Sequence, residues 1–325
     1  MSPRVPVTRG AERHKAAQAT RPAVAALPPR PAGVRGSLAW GLFRALRPRQ
    51  WVKNVLVLAA PLAAGQVLEP DVLGATVVAL LLFCAVSSGI YLVNDAIDVA
   101  EDRRHPRKRS RPIAAGLVPR WLAFVVALAL FASALVGSAV LTRPELTWVL
   151  GVYVGLQLAY CLGLKNQPVV DLGLVASGFL LRTVAGGAAA GIPISQWFLL
   201  VAAFGSLFMV AGKRYSELVA VGDQAATRRT LREYSASYLR FVWSMSAGVT
   251  VTVYSLWAFE MGESEQGVPW STISIAPFVL GLLRHAVDLD RGTAGAPEEV
   301  VLQDRVLLAI GCVWLLTVGL GIFLD

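Results

Sequence analysis

The sequence predicts an all-α protein that crosses a membrane many times. Of its 325 residues, 55% are hydrophobic and only 16% are charged, and the mean hydropathy is +0.58. Soluble domains carry about 25% charged residues, whereas the apolar runs here last about 20 residues, enough for a helix to cross about 30 Å of hydrocarbon. The alternation of a β-barrel is absent, so helices must satisfy the backbone hydrogen bonds within lipid. These observations exclude a soluble enzyme.

The chain begins with a segment that has no helical period. Residues 1–37 are rich in Pro, Arg and Ala and lack the order of regions that defines a signal peptide, so we expect a disordered basic cytoplasmic tail. Residues 38–50 place apolar side chains on one side of a helix and arginines on the other, the pattern of a helix lying in the membrane interface. Residues 38–325 therefore form one predicted transmembrane domain that begins with this interfacial helix.

Nine apolar segments follow, and each predicts a membrane-spanning helix. They cover approximately residues 52–68, 72–93, 118–141, 145–164, 169–190, 196–212, 238–259, 271–287 and 305–324. Lys and Arg concentrate in the tail and in the loops after even-numbered spans, whereas the opposite loops carry Arg143 alone. Because positively charged loops stay in the cytoplasm, we predict a multi-pass plasma-membrane protein with a cytoplasmic N-terminus and a cytoplasmic active site. The basic excess serves topology, so nucleic acid is not a predicted partner.

The second span ends in a stripe of acidic residues. At about 100° per residue, Asp95, Asp98 and Asp102 fall within a helical sector of about 60°. Carboxylates, together with the amide of Asn94, are hard oxygen ligands suited to Mg²⁺, which typically bridges a protein to substrate phosphates. A solvated helix end is the alternative, but carboxylates at the end of a span cost insertion free energy unless they face a polar cavity. We therefore predict that these four residues bind metal and are catalytic.

The loop after the acidic stripe carries the opposite charge. Its basic residues are Arg103, Arg104, His105, Arg107, Lys108, Arg109 and Arg111. Topology alone accounts for Lys and Arg at this position, but cations beside three carboxylates can hold metal and phosphate together. The combination predicts a diphosphate substrate, with His105, Lys108, Arg109 and Arg111 among its ligands.

The motif Asn94-Asp95-x-x-Asp98-x-x-x-Asp102 resembles the NDxxDxxxD motif of the UbiA superfamily of intramembrane prenyltransferases. Residues 47–54 are similar to the entry motif of that superfamily, and residues 160–165 are similar to its loop after span four. The resemblance implies a nine-helix UbiA-type bundle with a cavity open to the cytoplasm, and Mg²⁺ as cofactor, with Mn²⁺ as a substitute. The predicted substrate-binding residues in these segments are Gln50, Lys53, Asn54, Tyr91, Tyr160 and Lys165.

Span six ends differently from members of the superfamily that join a prenyl diphosphate to an aromatic acceptor. Those members have a second DxxxD motif, whereas residues 212–218 here read GKRYSEL. This segment, residues 47–54 and the loop at 288–305 resemble the actinobacterial decaprenyl-phosphate phosphoribosyltransferases. The resemblance implies 5-phosphoribosyl 1-diphosphate as donor, a polyprenyl phosphate as acceptor and a product for cell-wall arabinan synthesis. These substrates present more phosphoryl groups than a prenyl diphosphate and a phenolic acid, and Lys213 and Arg214 supply cations for them.

Arg182 lies deep in the fifth predicted span, where an arginine costs at least about 2.5–3.5 kcal/mol unless it faces a cavity or a partner. It either binds a phosphate at the bottom of the site, which we favour, or pairs with another buried polar group. Asp171, Tyr215 and Glu217 complete the predicted substrate-binding set. For Glu217 a second metal, a ribose hydroxyl and a pairing with Arg214 are left open.

Two other functions compete with phosphoribosyl transfer. The first is Mg-dependent aromatic polyprenyl transfer of quinone or haem biosynthesis, which the absence of a second DxxxD motif disfavours. The second is a membrane transporter that uses intramembrane charges for ions. Transport predicts inverted repeats with broken helices, which the sequence does not display. A homo-oligomer is compatible with the sequence.

Overall fold

The computed structural model describes residues 36–221, 231, 233–261, 268–292 and 304–324. The predicted disordered tail falls almost wholly outside these ranges, as does most of the loop between the last two predicted spans. The described residues contain helices and no strand, which confirms the predicted all-α class.

Helices of very different length alternate along the chain. The α-helices are α1 (Leu38–Ala45), α2 (Ala59–Ala63), α3 (Pro70–Ile97), α4 (Val99–Arg104), α5 (Arg120–Leu141), α6 (Pro144–Leu162), α7 (Val170–Ala190), α8 (Gln196–Val221), α9 (Ala236–Met261), α10 (Trp270–Ile273), α11 (Ile275–Asp290) and α12 (Arg305–Leu324). The 3₁₀-helices are Pro48–Leu58, Lys108–Ser110 and Leu164–Asn166. Among the described ranges, eight membrane-spanning candidates meet the length and hydropathy needed: α3, α5, α6, α7, α8, α9, α10 with α11, and α12.

The first predicted span has a different structure from the other eight. Its residues form most of the 3₁₀-helix Pro48–Leu58, which continues directly into α2. Pro48 lies in the first turn of the 3₁₀-helix, where its missing N–H costs no hydrogen bond. With a rise of about 2.0 Å per residue in the 3₁₀-helix and about 1.5 Å in α2, this entry segment reaches about 30 Å. It is therefore long enough to cross the hydrocarbon with fewer residues than an α-helix needs.

The N-terminal half of the bundle is organised around α3. This helix packs against α5, α6, α7 and the entry segment, and 61% of its most apolar stretch is buried, against 17% for α5. Polar side chains are tolerated on α3 because protein surrounds it rather than lipid. Leu92, Asp95 and Ala96 near its C-terminal end are also buried, so the acidic stripe begins on a part of α3 that is covered by protein.

Helix α7 joins α3 and the entry segment to α8, which packs closely on α9. The contact with the entry segment depends on Gly186, because a Cβ there would lie 2.0 Å from the carbonyl oxygen of Val57. Helix α8 continues to Val221, well past the predicted end of span six at about residue 212. Residues 212–218 are therefore helical, and their side chains repeat with helical spacing.

Candidate active site

The acidic stripe crosses a break between two helices. Helix α3 ends at Ile97 and α4 begins at Val99, so Asp98 joins them, with φ −85° and ψ 10°. Asp95 and Asp102 are 1% and 2% exposed, whereas the side chain of Asp98 is 19% exposed. The sequence predicted one continuous helical face for the three carboxylates. In the structure Asp98 lies at the helix break and differs from the other two carboxylates in its exposure and in its cationic partner.

Three cations from three separate segments neutralise the three carboxylates. Arg111 Nη1 lies 3.0 Å from Asp95 Oδ1 and 2.8 Å from Asp102 Oδ2. Lys165 Nζ lies 2.5 and 2.7 Å from the two oxygens of Asp98. Charge-assisted hydrogen bonds of this kind are among the strongest in proteins. The predicted residues Asp95, Asp98, Asp102, Arg111 and Lys165 are therefore brought together, although they are up to 70 positions apart in the sequence.

The third cation, Arg47, was not among the residues selected from the sequence. Its Nη2 donates to Asp95 Oδ1 at 2.6 Å, and its guanidinium lies 4.7 Å from the ring centroid of Tyr91. Arg47 has φ 56° and ψ 59°, a left-handed conformation that is uncommon outside glycine and unusual before a proline. The only sequence signal for it was its place at the start of the entry motif. Tyr91, a predicted substrate ligand, lies beside the acidic stripe through this contact.

The donor chemistry of the stripe suits a hard divalent cation. Four oxygen-bearing side chains, Asn94, Asp95, Asp98 and Asp102, lie at one helix junction, and burial raises the pKa of Asp102 while Arg111 opposes that shift. Among the described residues, no three carboxylate, imidazole or thiolate groups are gathered around one point. Arg47, Arg111 and Lys165 pair with the carboxylate oxygens that would bind a metal ion. The oxygen donors of the stripe fit Mg²⁺ chemically, and a bound diphosphate would give these cations another anion to pair with.

The basic loop has one clear structural role in addition to its charge. His105 Nδ1 accepts hydrogen bonds from the backbone N–H groups of Arg107 and Lys108, at 3.2 and 3.3 Å. Burial, and then the charge of Lys108, lower the pKa of His105, so the imidazole is neutral and closes the turn. Lys108 is half-buried and Arg109 is exposed. These three residues lie in the segment that leads to Arg111.

Arg182 is buried, and each of its three guanidinium nitrogens has a partner within the protein. Nε donates to Asn54 Oδ1 at 2.8 Å, Nη2 to the Tyr153 hydroxyl at 2.7 Å and Nη1 to the Gly178 carbonyl at 2.6 Å. Asn54 is fully buried and its Nδ2 contacts Cys84 Sγ at 3.2 Å. These contacts match the second of the two roles expected for Arg182, pairing with buried polar groups. The phosphate role of Arg182 and Asn54 stays a prediction.

A second polar network connects α7 with α8. Arg214 Nε lies 3.4 Å from Asp171 Oδ2, and Arg214 Nη1 lies 3.3 Å from Glu217 Oε2. Of the three roles left open for Glu217, the structure thus displays the pairing with Arg214. The hydroxyl of Tyr234, before α9, donates to Asp171 Oδ1. Burial, followed by that hydrogen bond, raises the pKa of Tyr234, so its hydroxyl keeps its proton. No motif in the sequence singled out Tyr234.

The other predicted ligands lie around these networks. Tyr215 is buried, and its hydroxyl donates to Asp290 at 3.2 Å and accepts from Arg240, which ties α8 to α9 and α11. Asn94 Oδ1 lies 3.8 Å from Cys161 Sγ, beside Tyr160 on α6. The half-buried side chains of this group are Gln50, Lys53, Tyr160 and Lys213.

Comparison with known proteins assigns the chain to a family. The sequence profile described as the UbiA prenyltransferase family matches residues 55–303. A protein of Mycolicibacterium smegmatis named decaprenyl-phosphate phosphoribosyltransferase is 51% identical over 306 residues, covering 90% of this chain and 96% of that protein. A protein of the same name from Corynebacterium glutamicum is 50% identical over 293 residues, covering 89% of this chain and 88% of that protein.

Solved structures share the fold at low sequence identity. The structure of a UbiA homolog from Archaeoglobus fulgidus bound to GPP and Mg²⁺ has a TM-score of 0.66 at 18% identity, covering 86% of this chain and 98% of that one. The family profile covers most of the transmembrane domain, and the relatives span nearly the whole chain. The protein belongs to the UbiA prenyltransferase family.

Proposed function

We propose that the protein transfers the 5-phosphoribosyl group from 5-phosphoribosyl 1-diphosphate to a polyprenyl phosphate such as decaprenyl phosphate. The observation that carries this proposal is the extensive identity to the mycobacterial and corynebacterial decaprenyl-phosphate phosphoribosyltransferases, about half of all residues along nearly the full chain. The clustered cations of the site support it, because both substrates are anionic at neutral pH. The enzyme is therefore a pentosyltransferase within a family of prenyltransferases.

The reaction exchanges one C–O bond for another. An oxygen of the lipid phosphate attacks C1 of the ribose, the bond from C1 to the diphosphate oxygen breaks, and diphosphate leaves with the bonding electron pair. The attacking phosphate is already an anion, so no side chain has to remove a proton from it. This agrees with His105, which is neutral but engaged in a turn, and with the absence of any histidine beside Asp95 and Asp98 among the described residues.

The main contribution of the protein is to hold positively charged side chains in fixed positions near the substrate phosphates. Arg47, Arg111 and Lys165 lie against the acidic stripe, where they can turn to donor phosphates and stabilise the charge that develops on the leaving group. Asp95, Asp98 and Asp102, with Asn94, would hold Mg²⁺. When bound there, the ion neutralises the diphosphate and acts as a Lewis acid. Lys213 and Arg214 extend the cationic surface toward the other phosphates.

We place the acceptor's hydrocarbon chain in an apolar groove of about 400 Å³ between α3, α5 and α6. Its lining consists of Val93, Ile97, Phe124, Ala127, Leu128, Phe131, Leu158 and Leu162. Ile97 directly precedes Asp98, and Leu162 lies three residues before Lys165. A polyprenyl chain lying in this groove therefore brings its phosphate to the end of the bundle where the acidic stripe lies.

The location follows from the same chemistry. The site faces the cytoplasm, where phosphoribosyl diphosphate is available to a plasma-membrane enzyme, and the product serves cell-wall arabinan synthesis. The positive loops support this orientation. Mg²⁺ is the proposed physiological ion, with Mn²⁺ as a substitute.

The assignment is tested with purified protein and two pairs of substrates. We expect labelled phosphoribosyl diphosphate and decaprenyl phosphate, with Mg²⁺, to yield a labelled lipid and free diphosphate. A prenyl diphosphate with hydroxybenzoate should yield no product. Product from the second pair alone would replace this proposal with aromatic prenyl transfer.

A further inference from the structure

We propose that Tyr234 is a positioning residue for the donor, acting through Asp171 to aim the guanidinium of Arg214 at a donor phosphate. This inference rests on the proposed phosphoribosyl transfer. Tyr234 lies between α8 and α9, outside every motif recognised in the sequence. Its role follows from a hydrogen bond from the Tyr234 hydroxyl to Asp171, followed by an ion pair between Asp171 and Arg214 on α8.

The hydroxyl of Tyr234 links two neighbouring positions at the start of α7. It accepts a hydrogen bond from the backbone N–H of Val169 at 2.6 Å and donates one to Asp171 Oδ1. Tyr234 is 6% exposed and Asp171 is 2% exposed, so neither group exchanges this contact for water. The hydroxyl therefore fixes the Asp171 carboxylate in one orientation.

The backbone at Val169 is strained in a way that this hydroxyl offsets. Val169 has φ 68° and ψ −48°, a region in which a β-branched residue is a genuine outlier. Such conformations persist only where the surroundings over-determine them, and they cluster at functional sites. Val169 lies four residues after Lys165, which pairs with Asp98. Through Val169, Tyr234 thus holds the short segment between Lys165, which pairs with Asp98, and the start of α7.

The fixed carboxylate in turn orients Arg214. Asp171 Oδ2 lies 3.4 Å from Arg214 Nε, and Glu217 Oε2 lies 3.3 Å from Nη1. Among the residues that the structure describes, Nη2 of Arg214 makes no hydrogen bond, and it is not sealed from solvent. Two edges of the planar guanidinium are held by carboxylates, so the remaining N–H groups point in a set direction. An arginine held in this way suits a phosphate oxygen.

The matched pair of variants is Tyr234→Phe and Tyr238→Phe. The two rings stack 5.7 Å apart with an interplanar angle of 5°, and phenylalanine preserves the stacking in both. Of the two variants, only Tyr234→Phe removes a hydroxyl that donates a hydrogen bond to Asp171. We expect Tyr234→Phe to raise the KM for phosphoribosyl diphosphate about tenfold, the effect of a lost hydrogen bond to a charged group, with kcat within about twofold of wild type. Tyr238→Phe should match wild type in both constants.

A second variant separates positioning from folding. Asp171→Asn keeps an acceptor for Tyr234 but removes the charge opposite Arg214, so it should raise the same KM. Thermal unfolding with and without phosphoribosyl diphosphate gives a reading independent of turnover, because a ligand stabilises the state that binds it. Both variants should need more donor than wild type for the same rise in Tm.

The outcomes are distinct. An unchanged donor KM in Tyr234→Phe, or a fall in kcat at unchanged KM, overturns the inference while leaving the proposed function standing. If wild type transfers no phosphoribosyl group, the proposed function fails. The donor-dependent shift in Tm then decides the inference alone: equal shifts in wild type and Tyr234→Phe overturn it, and a weaker shift in the variant supports it.

Discussion

Asp98 forms an ion pair with a different basic residue from the one that Asp95 and Asp102 share. Asp95 and Asp102 are buried and share the guanidinium of Arg111, whereas Asp98 is partly exposed and, within the described part of the chain, pairs with Lys165. A buried carboxylate that loses its charge weakens the ion-pair network around Arg111, so changes at Asp95 or Asp102 affect both catalysis and folding. Asp98 is the position at which the chemistry of the stripe can be tested with the least structural damage.

The first prediction concerns the charge of Asp98. Asp98→Asn should lower kcat/KM for phosphoribosyl transfer at least about 100-fold, because a ligand of the Mg²⁺ that would neutralise the diphosphate is lost, and it should raise the Mg²⁺ concentration needed for half-maximal rate. The control is Glu101→Gln, an exposed carboxylate on α4, which should leave both quantities unchanged. Undiminished transfer with normal Mg²⁺ dependence in Asp98→Asn would contradict the metal role.

The second prediction addresses Arg182. Lysine cannot reach Asn54, Tyr153 and the Gly178 carbonyl together, and each buried group left unsatisfied costs about 1–3 kcal/mol. We expect Arg182→Lys to lower the Tm by at least about 5 °C with little change in the donor KM. The exposed Arg44→Lys on α1 is the control for the change of side chain. A raised donor KM at wild-type Tm would instead return Arg182 to the role of phosphate ligand.

Sequence reasoning selected candidate site residues that belong to a local pattern and did not select those that only the tertiary structure brings near them. The spacing of Asp95, Asp98 and Asp102 was visible because all three lie within eight residues. Arg47 and Tyr234 reach the site only through folding across 48 and 63 positions, to Asp95 and Asp171. Their types, an arginine among many and a tyrosine in a loop, carry no periodic signal.

At the scale of the helices, hydropathy predicts the existence of spans better than their internal form. The predicted span 305–324 agrees with α12, and the prediction for 169–190 agrees within one residue with α7. Average hydropathy does not register a break of one residue, so the division at Ser274 between α10 and α11 and the junction at Asp98 were not visible. Nor does it distinguish a 3₁₀-helix from an α-helix, which is why the entry segment looked like an ordinary span.

The third prediction tests the packing of that entry segment on α7. In Gly186→Ala the new Cβ would lie 2.0 Å from the Val57 carbonyl oxygen, and a backbone atom cannot move aside as a side chain can. Overpacking of this kind costs about 1–3 kcal/mol. We expect a lower Tm and reduced transfer, because the displaced segment carries Arg47 at its start. Gly173→Ala, on the same helix with nothing within 4 Å of its Cβ, should keep the Tm or raise it.

The molecule has a charged surface at one end of the bundle and apolar surfaces on its outer helices. Cations and carboxylates meet at one end of the bundle, while the outer faces of α5 and α12 are apolar, with 17% of each span buried. The apolar groove between α3, α5 and α6 joins these two surfaces, because it ends beside Asp98 and Lys165. An enzyme with one water-soluble and one lipid substrate needs such a junction. The lipid phosphate can then react while its chain stays in the hydrocarbon.

The fourth prediction concerns a change in this groove that should affect the binding of the acceptor but not of the donor. Leu128 lines it from α5 and is 69% exposed, so Leu128→Trp narrows the groove without entering the core. The acceptor KM should rise about tenfold, the scale of discrimination that an apolar pocket achieves, while the donor KM and the Tm stay at wild-type values. Val136→Trp is the control, since Val136 lies on the same helix, is 64% exposed and does not line the groove. If the hydrocarbon chain occupies the groove, the bulky ring at position 128 must compete with it for the same volume. Equal acceptor KM values in both variants would therefore show that the chain binds at another face of the bundle.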